Sequence, residues 1–169
     1  MAKKMTPLKI VLIVCVIIIT LLCVGALTVY QVNEFYSTND PVLSEITSLL
    51  HDYFEQDHFP EGGELSQLNG RNLIDEITIQ VSNGGSYTIN KKAVHLCMRD
   101  IKGDYYDRNM LIYVLIHEIA HVICDEIGHT TKFHRINDEL LEHATQHSIY
   151  DPSQPIPLDY CSHHADAEG

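Results

Sequence analysis

The longest apolar run of the chain lies near its N-terminus. From Ile10 to Val29, twenty successive residues carry no charge, and a helix that crosses a lipid bilayer needs about 20 such residues. The apolar core of a cleaved signal peptide, which is the alternative interpretation, usually spans only about 7–15 residues. The pattern therefore predicts a transmembrane signal anchor over residues 10–30, preceded by a short N-terminal segment of residues 1–9.

Charged residues flank this run unevenly. Three lysines precede it (Lys3, Lys4 and Lys9), whereas acidic residues follow it. Because basic residues favour the cytoplasmic side of a membrane, we expect a single-pass membrane protein with a cytoplasmic N-terminus and the rest of the chain on the extracytoplasmic or lumenal side. The lipid bilayer is then a partner through residues 10–30, and residues 31–41 are predicted to form a polar linker.

Helical periodicity begins directly after the linker. Asp40 suits an N-cap and Pro41 suits the first helical position. Apolar residues then recur at helical spacing: Leu43, Ile46, Leu49, Leu50, Tyr53 and Phe54. The pattern predicts a helix that ends near Gln56.

Period-two alternation replaces the helical pattern farther along the chain. The segment DEITIQVSNGGSYTINKKAVHLCM alternates apolar and polar residues on both sides of an Asn83-Gly84-Gly85 turn. Such a pattern is typical of a β-hairpin, and Val94–Met98 is a candidate third strand.

A second apolar helix is predicted after the strands. Asp107 is an acceptable N-cap, and we expect the helix to run to Ile127 and to stop at Gly128 in a left-handed conformation. Its apolar surface is broad and comprises Met110, Leu111, Val114, Leu115, Ile119 and Val122. Thr130 or Thr131 would then cap another helix.

Composition and charge restrict the domain organisation and the partners. The 169 residues are 45% hydrophobic, which suits one small domain plus one appendage. We expect an α+β domain over residues 42–150 and a C-terminal tail over residues 151–169. Outside the three N-terminal lysines, 8 basic residues stand against 23 acidic ones. Such an acidic chain repels phosphate backbones, so no direct binding to nucleic acid is expected.

Three polar side chains interrupt the apolar helix in the stretch LIHEIAHVIC. His117 and His121 are four residues apart, so both project from one face, close enough to share a metal ion. Glu118 lies one step around the helix, where its carboxylate can act on a water bound to zinc. The plainer alternative is a pair of histidines bonded to nearby acids, but burying these groups without a metal costs several kcal/mol.

A third zinc ligand is expected shortly after this motif. His129 lies in the elbow between the two helices and is the first candidate. The competitors lie on the next helix: His134, Glu139 and Glu142. Asp125 or Glu126 would instead accept a hydrogen bond from an imidazole N–H.

The segment HEIAHVICDEIGHTTKFHRINDELLEHA resembles the H-E-x-x-H…H-x-x-x-F/W signature of the WLM and SprT-like zinc metallopeptidases. In that family an aromatic residue follows the third histidine by four positions, and Phe133 stands in this place after His129. The resemblance covers residues 105–145 well and the predicted hairpin less. It implies a zincin-like fold, in which a small sheet covers the active-site helix and an edge strand, here Val94–Met98, aligns an extended peptide substrate.

Two departures from the family limit this resemblance. Seven residues separate His121 from His129, which is more than is usual in the WLM group. The chain also lacks the basic surface that the DNA-linked relatives need, so the family's role in protein–DNA crosslink repair is not carried over. The ending IYDPSQPIPLDYC resembles small membrane-anchored WLM-like proteins of large DNA viruses.

The cysteines indicate no zinc ribbon. Cys97, Cys124 and Cys161 lie beyond the membrane span, without the C-x-x-C spacing of such sites. In an oxidising compartment one pair of them would form a disulfide. Cys97 is also a minor alternative as a metal ligand, because it precedes the helix. The candidates for stabilising an oxyanion are Tyr160, His95 and Tyr105.

The sequence thus predicts a membrane-anchored zinc metallopeptidase, an endopeptidase of the HExxH type. His117, His121 and His129 hold the zinc ion (Zn²⁺), Glu118 is the general base, and the partner is a protein or peptide substrate. The alternative is a non-catalytic membrane-anchored scaffold, such as a virion membrane protein, in which a fourth protein ligand closes a structural zinc site.

Overall fold

The computed structural model describes residues 7–38, 40–56 and 59–156. The chain divides into two compact units, Met1–Ser37 and Thr38–Gly169. Each unit has its own secondary structure.

The first unit is helical throughout its described residues. Helix α1 spans Pro7–Thr38, and Leu8–Gln31 within it has a mean hydropathy of 3.3, with no buried residue in its apolar window. At about 1.5 Å per residue, such a segment exceeds the roughly 30 Å of a bilayer's hydrocarbon core. The helix is therefore long and apolar enough to cross a membrane, as the sequence predicts.

Helix α1 also contains most of the predicted linker. Residues 31–38 continue the helix, so this part of the segment predicted as a polar linker, residues 31–41, is helical. Polarity alone does not end a helix. The segment contains neither glycine nor proline before Pro41, and these are the residues that interrupt helices most strongly.

The second unit is an α+β domain. Its elements in chain order are α2 (Pro41–Gln56), a 3-10 helix (Glu64–Leu68), α3 (Leu73–Glu76), β1 (Thr78–Ser82), β2 (Tyr87–Ile89), β3 (Ala93–Cys97), α4 (Arg108–Ile123) and α5 (Thr131–Gln146). Helix α4 lies at the centre, in contact with α2, α5, β2 and β3. Ten of its sixteen residues are buried, which confirms the predicted apolar helix.

The three long helices of this domain begin where the sequence predicts. Each predicted N-cap side chain accepts a hydrogen bond from a main-chain N–H of the following turn: Asp40 for α2, Asp107 for α4 and Thr130 for α5. Five of the six apolar residues predicted on α2 are buried, and Leu49 is half-buried. Local capping and helical periodicity therefore determine these helices.

The sheet differs from the predicted hairpin. Its strand order is β1-β3-β2, with β1 parallel to β3 and β2 antiparallel to β3, so the strands that flank the Asn83-Gly84-Gly85 turn do not pair with each other. The hairpin joins β2 to β3 instead. Residues 90–92 connect the two strands, and the main-chain N–H of Lys92 bonds to the oxygen of Ile89. Asn90 and Lys91 have φ angles of 50° and 57°, the positive φ that both central residues of a type I′ turn require.

The strand order also overturns the predicted edge strand. The candidate strand Val94–Met98 coincides with β3, which pairs on both sides and is central. The outer strands of the described sheet are β1 and β2. Of these two outer strands, β2 contacts α4, the helix that carries His117, Glu118 and His121.

Helix α4 ends earlier than predicted. Its last residue is Ile123, and Cys124 adopts an extended conformation with φ −65° and ψ 127°, so Ile127 is not helical. Gly128 has the predicted positive φ, 80°, but within a loop rather than at the end of the helix. A seven-residue loop over residues 124–130 therefore connects α4 to α5.

Candidate metal centre

Three histidine side chains converge beside the last turns of α4. The rings of His117 and His121 project from the same face of the helix, with centroids 5.1 Å apart. His129 reaches them from the loop, and its Nε2 lies 3.1 Å from the Nε2 atoms of both other histidines. The structure thus brings together the three residues predicted as metal ligands, with one ring nitrogen of each within 4.8 Å of the others.

Contacts at both ends of the 124–130 loop place His129. Lys91, in the turn between β2 and β3, donates its ammonium group to the main-chain oxygens of Cys124 and Glu126. Asp125 forms an ion pair with Lys132 at 2.9 Å, and a hydrogen bond from Lys132 holds the pKa of this carboxyl below its usual range. The ion pair replaces the imidazole contact that we expected for Asp125, and Glu126 contributes its main-chain oxygen.

Phe133 packs against all three imidazole rings. It is fully buried, stacks on His121 with 4.1 Å between centroids, and meets His117 and His129 edge-on at 5.0 and 4.8 Å. Its position follows from the first turn of α5, where Thr130 accepts a hydrogen bond from the main-chain N–H of Phe133. Phe133 therefore restricts the rotation of the three histidine rings.

The environment of the cluster favours a neutral imidazole at His117. Burial, together with the neighbouring histidines, lowers the pKa of His117 from 6.5 to about 4. At neutral pH this ring carries no charge, which is the state that binds a metal ion. Hydrogen bonds among the rings satisfy the cluster poorly, because the Nε2 of His129 offers either one proton or one lone pair while it faces two other nitrogens.

The spacing of the nitrogens suits zinc. Zinc binds imidazole nitrogens at about 2.0–2.1 Å in tetrahedral geometry, which separates two ligand nitrogens by roughly 3.3–3.4 Å. The two observed separations of 3.1 Å lie close to this value. Among residues 7–38, 40–56 and 59–156, no fourth His, Cys, Asp or Glu joins the group. The residues present therefore fit a metal ion held by three imidazoles.

Glu118 follows His117 directly in the chain and is 4% exposed. Its Oε2 accepts a hydrogen bond from the hydroxyl of Thr88 at 2.8 Å. The same hydroxyl lies 3.1 Å from the main-chain oxygen of Glu118. Strand β2 therefore contacts α4 at the carboxylate predicted as general base, and this carboxylate is shielded from bulk water.

The competing ligands lie outside the cluster. His134 is exposed, with its ring centroid 6.1 Å from that of His129, and neither Glu139 nor Glu142 belongs to the group of converging ligand atoms. Cys97 is disulfide-bonded. Its interpretation as a metal ligand is therefore wrong, because a metal ligand requires a free thiolate.

The candidates for stabilising an oxyanion have other contacts or lie outside the described residues. His95 stacks on Tyr87 with 4.6 Å between centroids, on the sheet face away from α4, because the residues on either side of it in β3 are the buried ones. Tyr105 donates its hydroxyl to Asp40 at 2.7 Å. Tyr160 lies outside the described residues.

Two residues of this region were missed by the sequence analysis. Thr88 and Lys91 contact the motif helix and its following loop from 30 and 33 residues away. The alternation of the strand places Thr88 on one face, and the turn chemistry places Lys91 between strands. The sequence does not indicate which helix contacts this face of β2 or this turn, because those contacts depend on the strand order.

Comparison with known proteins finds similarity to viral proteins. The chain is 53% identical over 102 residues to the uncharacterized protein 136R of Invertebrate iridescent virus 6, across 59% of the chain and 57% of that protein. It is 46% identical over 104 residues to the uncharacterized protein 042R of Invertebrate iridescent virus 3, across 61% and 65%. It is also 32% identical over 131 residues to the uncharacterized protein R325 of Acanthamoeba polyphaga mimivirus, across 71% and 66%.

These matches leave part of the relatives uncovered, since the chain spans less than two thirds of the length of the first two. No protein-family model matches the chain, and no solved structure matches it significantly.

Proposed function

We propose that this chain is a membrane-anchored zinc metallopeptidase with a zincin-like fold. The observation that carries the proposal is the convergence of the Nε2 atoms of His117, His121 and His129. Glu118, which is buried, directly follows the first of them in the chain. This combination of three imidazoles and one carboxylate on and after a single buried helix is what zinc-dependent peptide hydrolysis requires.

The roles of the residues follow from their positions. His117, His121 and His129 would hold the zinc ion, which when bound polarises a carbonyl group and lowers the pKa of a water molecule. Glu118 accepts a proton on its carboxylate and returns it to the leaving amine. Phe133 keeps the three rings in place through its contacts with each of them.

A protein or peptide substrate would lie along β2. This strand pairs with β3 on one side, and an extended peptide can pair with the main chain of an outer strand on the other side. Tyr87 and Ile89 are each 43% exposed and lie on the sheet face opposite to that of Thr88, because side chains alternate along a strand. β2 thus replaces Val94–Met98 as the strand proposed to align the substrate.

The number of ligands favours a peptidase over the scaffold alternative. A structural zinc site closes its coordination with a fourth protein ligand, whereas a catalytic site leaves one position open. The part of the chain that the structure describes supplies three converging ligands, His117, His121 and His129. This set matches the catalytic pattern.

Three features support a membrane-anchored domain on the extracytoplasmic side. Leu8–Gln31 is long and apolar enough to span a bilayer, and the lysines that precede it favour a cytoplasmic N-terminus. The disulfide at Cys97 is of the kind that persists in oxidising compartments. We therefore propose that the α+β domain is exported and that α1 anchors it.

Replacement of Glu118 by glutamine tests the proposal. We expect the full chain, purified in detergent micelles without chelator, to contain one zinc ion and to cleave denatured casein. Glu118→Gln should keep the zinc and lose about 10²–10⁴-fold in the rate of cleavage, because the general base is removed. Zinc is measured by mass spectrometry and cleavage by the release of soluble peptides.

A triple alanine variant at His117, His121 and His129 is the matched control. It should lose both zinc and cleavage. Equal zinc in this variant and in the wild type would contradict the metal site. Unchanged cleavage by Glu118→Gln would contradict the role of Glu118, whereas zinc binding without cleavage of any of a panel of unfolded proteins would favour the scaffold.

A further inference from the structure

Thr88 places a hydroxyl on the sheet face that packs against α4. It is the central residue of β2 and lies opposite Val94 in β3, which is fully buried. Directly opposed side chains of an antiparallel pair lie on the same face of the sheet, so Thr88 points toward the core and α4. Apolar residues usually occupy such inward positions, and the hydroxyl therefore calls for an explanation.

The hydroxyl of Thr88 reaches two oxygens of one residue. It lies 2.8 Å from Oε2 of Glu118 and 3.1 Å from the main-chain oxygen of Glu118. The last torsion of a glutamate side chain is broad, so a carboxylate without a directed hydrogen bond rotates over a wide range. The hydrogen bond to Oε2 restricts this rotation. The main-chain oxygen of Glu118, 3.1 Å away, places the same hydroxyl beside the backbone of α4.

We propose that Thr88 is the positioning residue of the general base: its hydroxyl holds the Glu118 carboxylate in the orientation that accepts and returns the proton. This inference rests on the proposed function, although the contact itself does not. A general base must lie within hydrogen-bond reach of the proton that it removes. Loss of the hydroxyl should therefore slow turnover while it leaves substrate binding and zinc binding nearly unchanged.

Because Thr88 belongs to β2, one strand would position both the substrate and the general base. The same strand is proposed to align the substrate, so its main chain sets the position of the scissile peptide while one of its side chains sets the position of the base. Small misplacements of reacting groups cost large factors in rate. A single rigid strand that positions both groups keeps them in register with each other.

Two substitutions separate the hydroxyl from the shape of the side chain. Thr88→Val removes the hydroxyl and keeps the β-branched shape, whereas Thr88→Ser keeps the hydroxyl. In the full chain in detergent micelles, with denatured casein as the probe, we expect Thr88→Val to lower kcat by about 10–100-fold, as is typical when a supporting partner of a catalytic site is lost. The zinc content and KM should stay within about twofold of the wild type, and Thr88→Ser should retain kcat within about threefold.

The Glu118→Gln background provides the decisive comparison. Because Thr88 acts through the carboxylate, Thr88→Val should cause no further loss of kcat in that background. A wild-type kcat in Thr88→Val would overturn the proposal. Equal losses of kcat in the serine and valine variants would overturn it as well, since the hydroxyl would then be irrelevant.

A second readout needs no activity. In the metal-free full chain, urea unfolding is followed by tyrosine fluorescence for the wild type, Thr88→Val, Glu118→Met and the double variant. We expect Thr88→Val to lower the urea midpoint in the wild type and to lower it less in the Glu118→Met background, because the shared hydrogen bond is already lost there. Equal shifts in both backgrounds would overturn the positioning role. Absence of cleavage by the wild type would instead overturn the proposed function, and the catalytic consequence of the contact with it.

Discussion

The cost of burying charge affects both His117 and Glu118. His117 is half-buried among other imidazoles and stays neutral over the physiological range, since its pKa is lowered to about 4. Glu118 is buried and receives a hydrogen bond from Thr88. A buried polar group without such a partner costs free energy. The hydrogen bond from Thr88 to Glu118 is therefore favoured by burial as well as by the proposed chemistry.

The lowered pKa of His117 predicts how the stability of the metal-free protein depends on pH. In the unfolded chain this imidazole has its ordinary pKa of 6.5, whereas in the folded chain the value is about 4. Between these two values the unfolded state binds more protons, so the free energy of unfolding falls as the pH falls from 6.5 to 4. The contribution of one proton is at most about 1.4 kcal/mol per pH unit.

Urea unfolding in the presence of a chelator measures this effect. We expect His117→Gln to show a weaker dependence of its unfolding free energy on pH between pH 4 and 6.5 than the wild type does, because only the wild type must take up this proton on unfolding. His51→Gln is a suitable control, since His51 lies in a separate acidic cluster with Asp52 and Glu55. An identical pH dependence in the wild type and His117→Gln would show that His117 is not shifted.

The turn between β2 and β3 contacts the end of α4 and the loop that follows it. The ammonium group of Lys91 contacts the main-chain oxygens of Cys124 and Glu126, where the carbonyl groups at the end of a helix carry partial negative charge. Lys91 therefore stabilises both the end of α4 and the loop that carries His129.

Replacement of Lys91 by methionine tests this contact. Lys91→Met keeps the aliphatic stem and removes the charge, so the loop should lose its anchor and zinc should bind about tenfold more weakly. The neighbouring Lys92 is exposed, and Lys92→Met is the matched control with unchanged zinc affinity. Competition with a chromogenic chelator gives both affinities, and a Lys91→Met variant that binds zinc as tightly as the control would argue against the anchor.

The helices could be predicted from the sequence because their signals are local. The capping residues Asp40, Asp107 and Thr130 each bond within the following three residues, and the spacing of His117 and His121 follows from the helical repeat. These signals predicted the bounds of α2, the starts of α4 and α5, and two of the three converging histidines. The position of His129 required the additional assumption that the loop turns back.

The sheet and the loop could not be predicted in the same way, because distant contacts determine them. The chain passes from β1 through β2 before β3 pairs between them, and a glycine-containing turn looks the same whether or not its flanking strands pair. Helix α4 ends at Ile123, where Lys91 contacts the next carbonyl group from 33 positions earlier. Periodicity along the chain contains no information about such partners.

The whole molecule combines an apolar helix with an acidic domain. Leu8–Gln31 exposes apolar side chains along its length, whereas the rest of the chain carries most of the acidic residues. A lipid bilayer would bury the apolar side chains of the helix, whereas the acidic side chains of the rest of the chain are solvated by water. In the proposed topology, the orientation of the inserted helix would also determine on which side of the membrane the α+β domain meets its proposed substrates.

The lysines before the helix and the disulfide at Cys97 together predict the membrane topology. We expect the full chain to remain in membranes after carbonate extraction, because an inserted helix resists alkaline pH. In sealed vesicles with the cytoplasmic face outward, added protease should leave the α+β domain intact until detergent opens the vesicles. Cys97 should react with maleimide only after reduction and unfolding.

Reversal of the flanking charge gives the control for this topology. Replacement of Lys3, Lys4 and Lys9 by glutamate removes the bias that keeps the N-terminus in the cytoplasm, so a fraction of the domain should become sensitive to protease from the cytoplasmic side. Full release of the wild type at alkaline pH would contradict a membrane-spanning helix. Digestion of the wild-type domain in intact vesicles, with Cys97 reactive before reduction, would place the domain in the cytoplasm and confine its proposed substrates to that compartment.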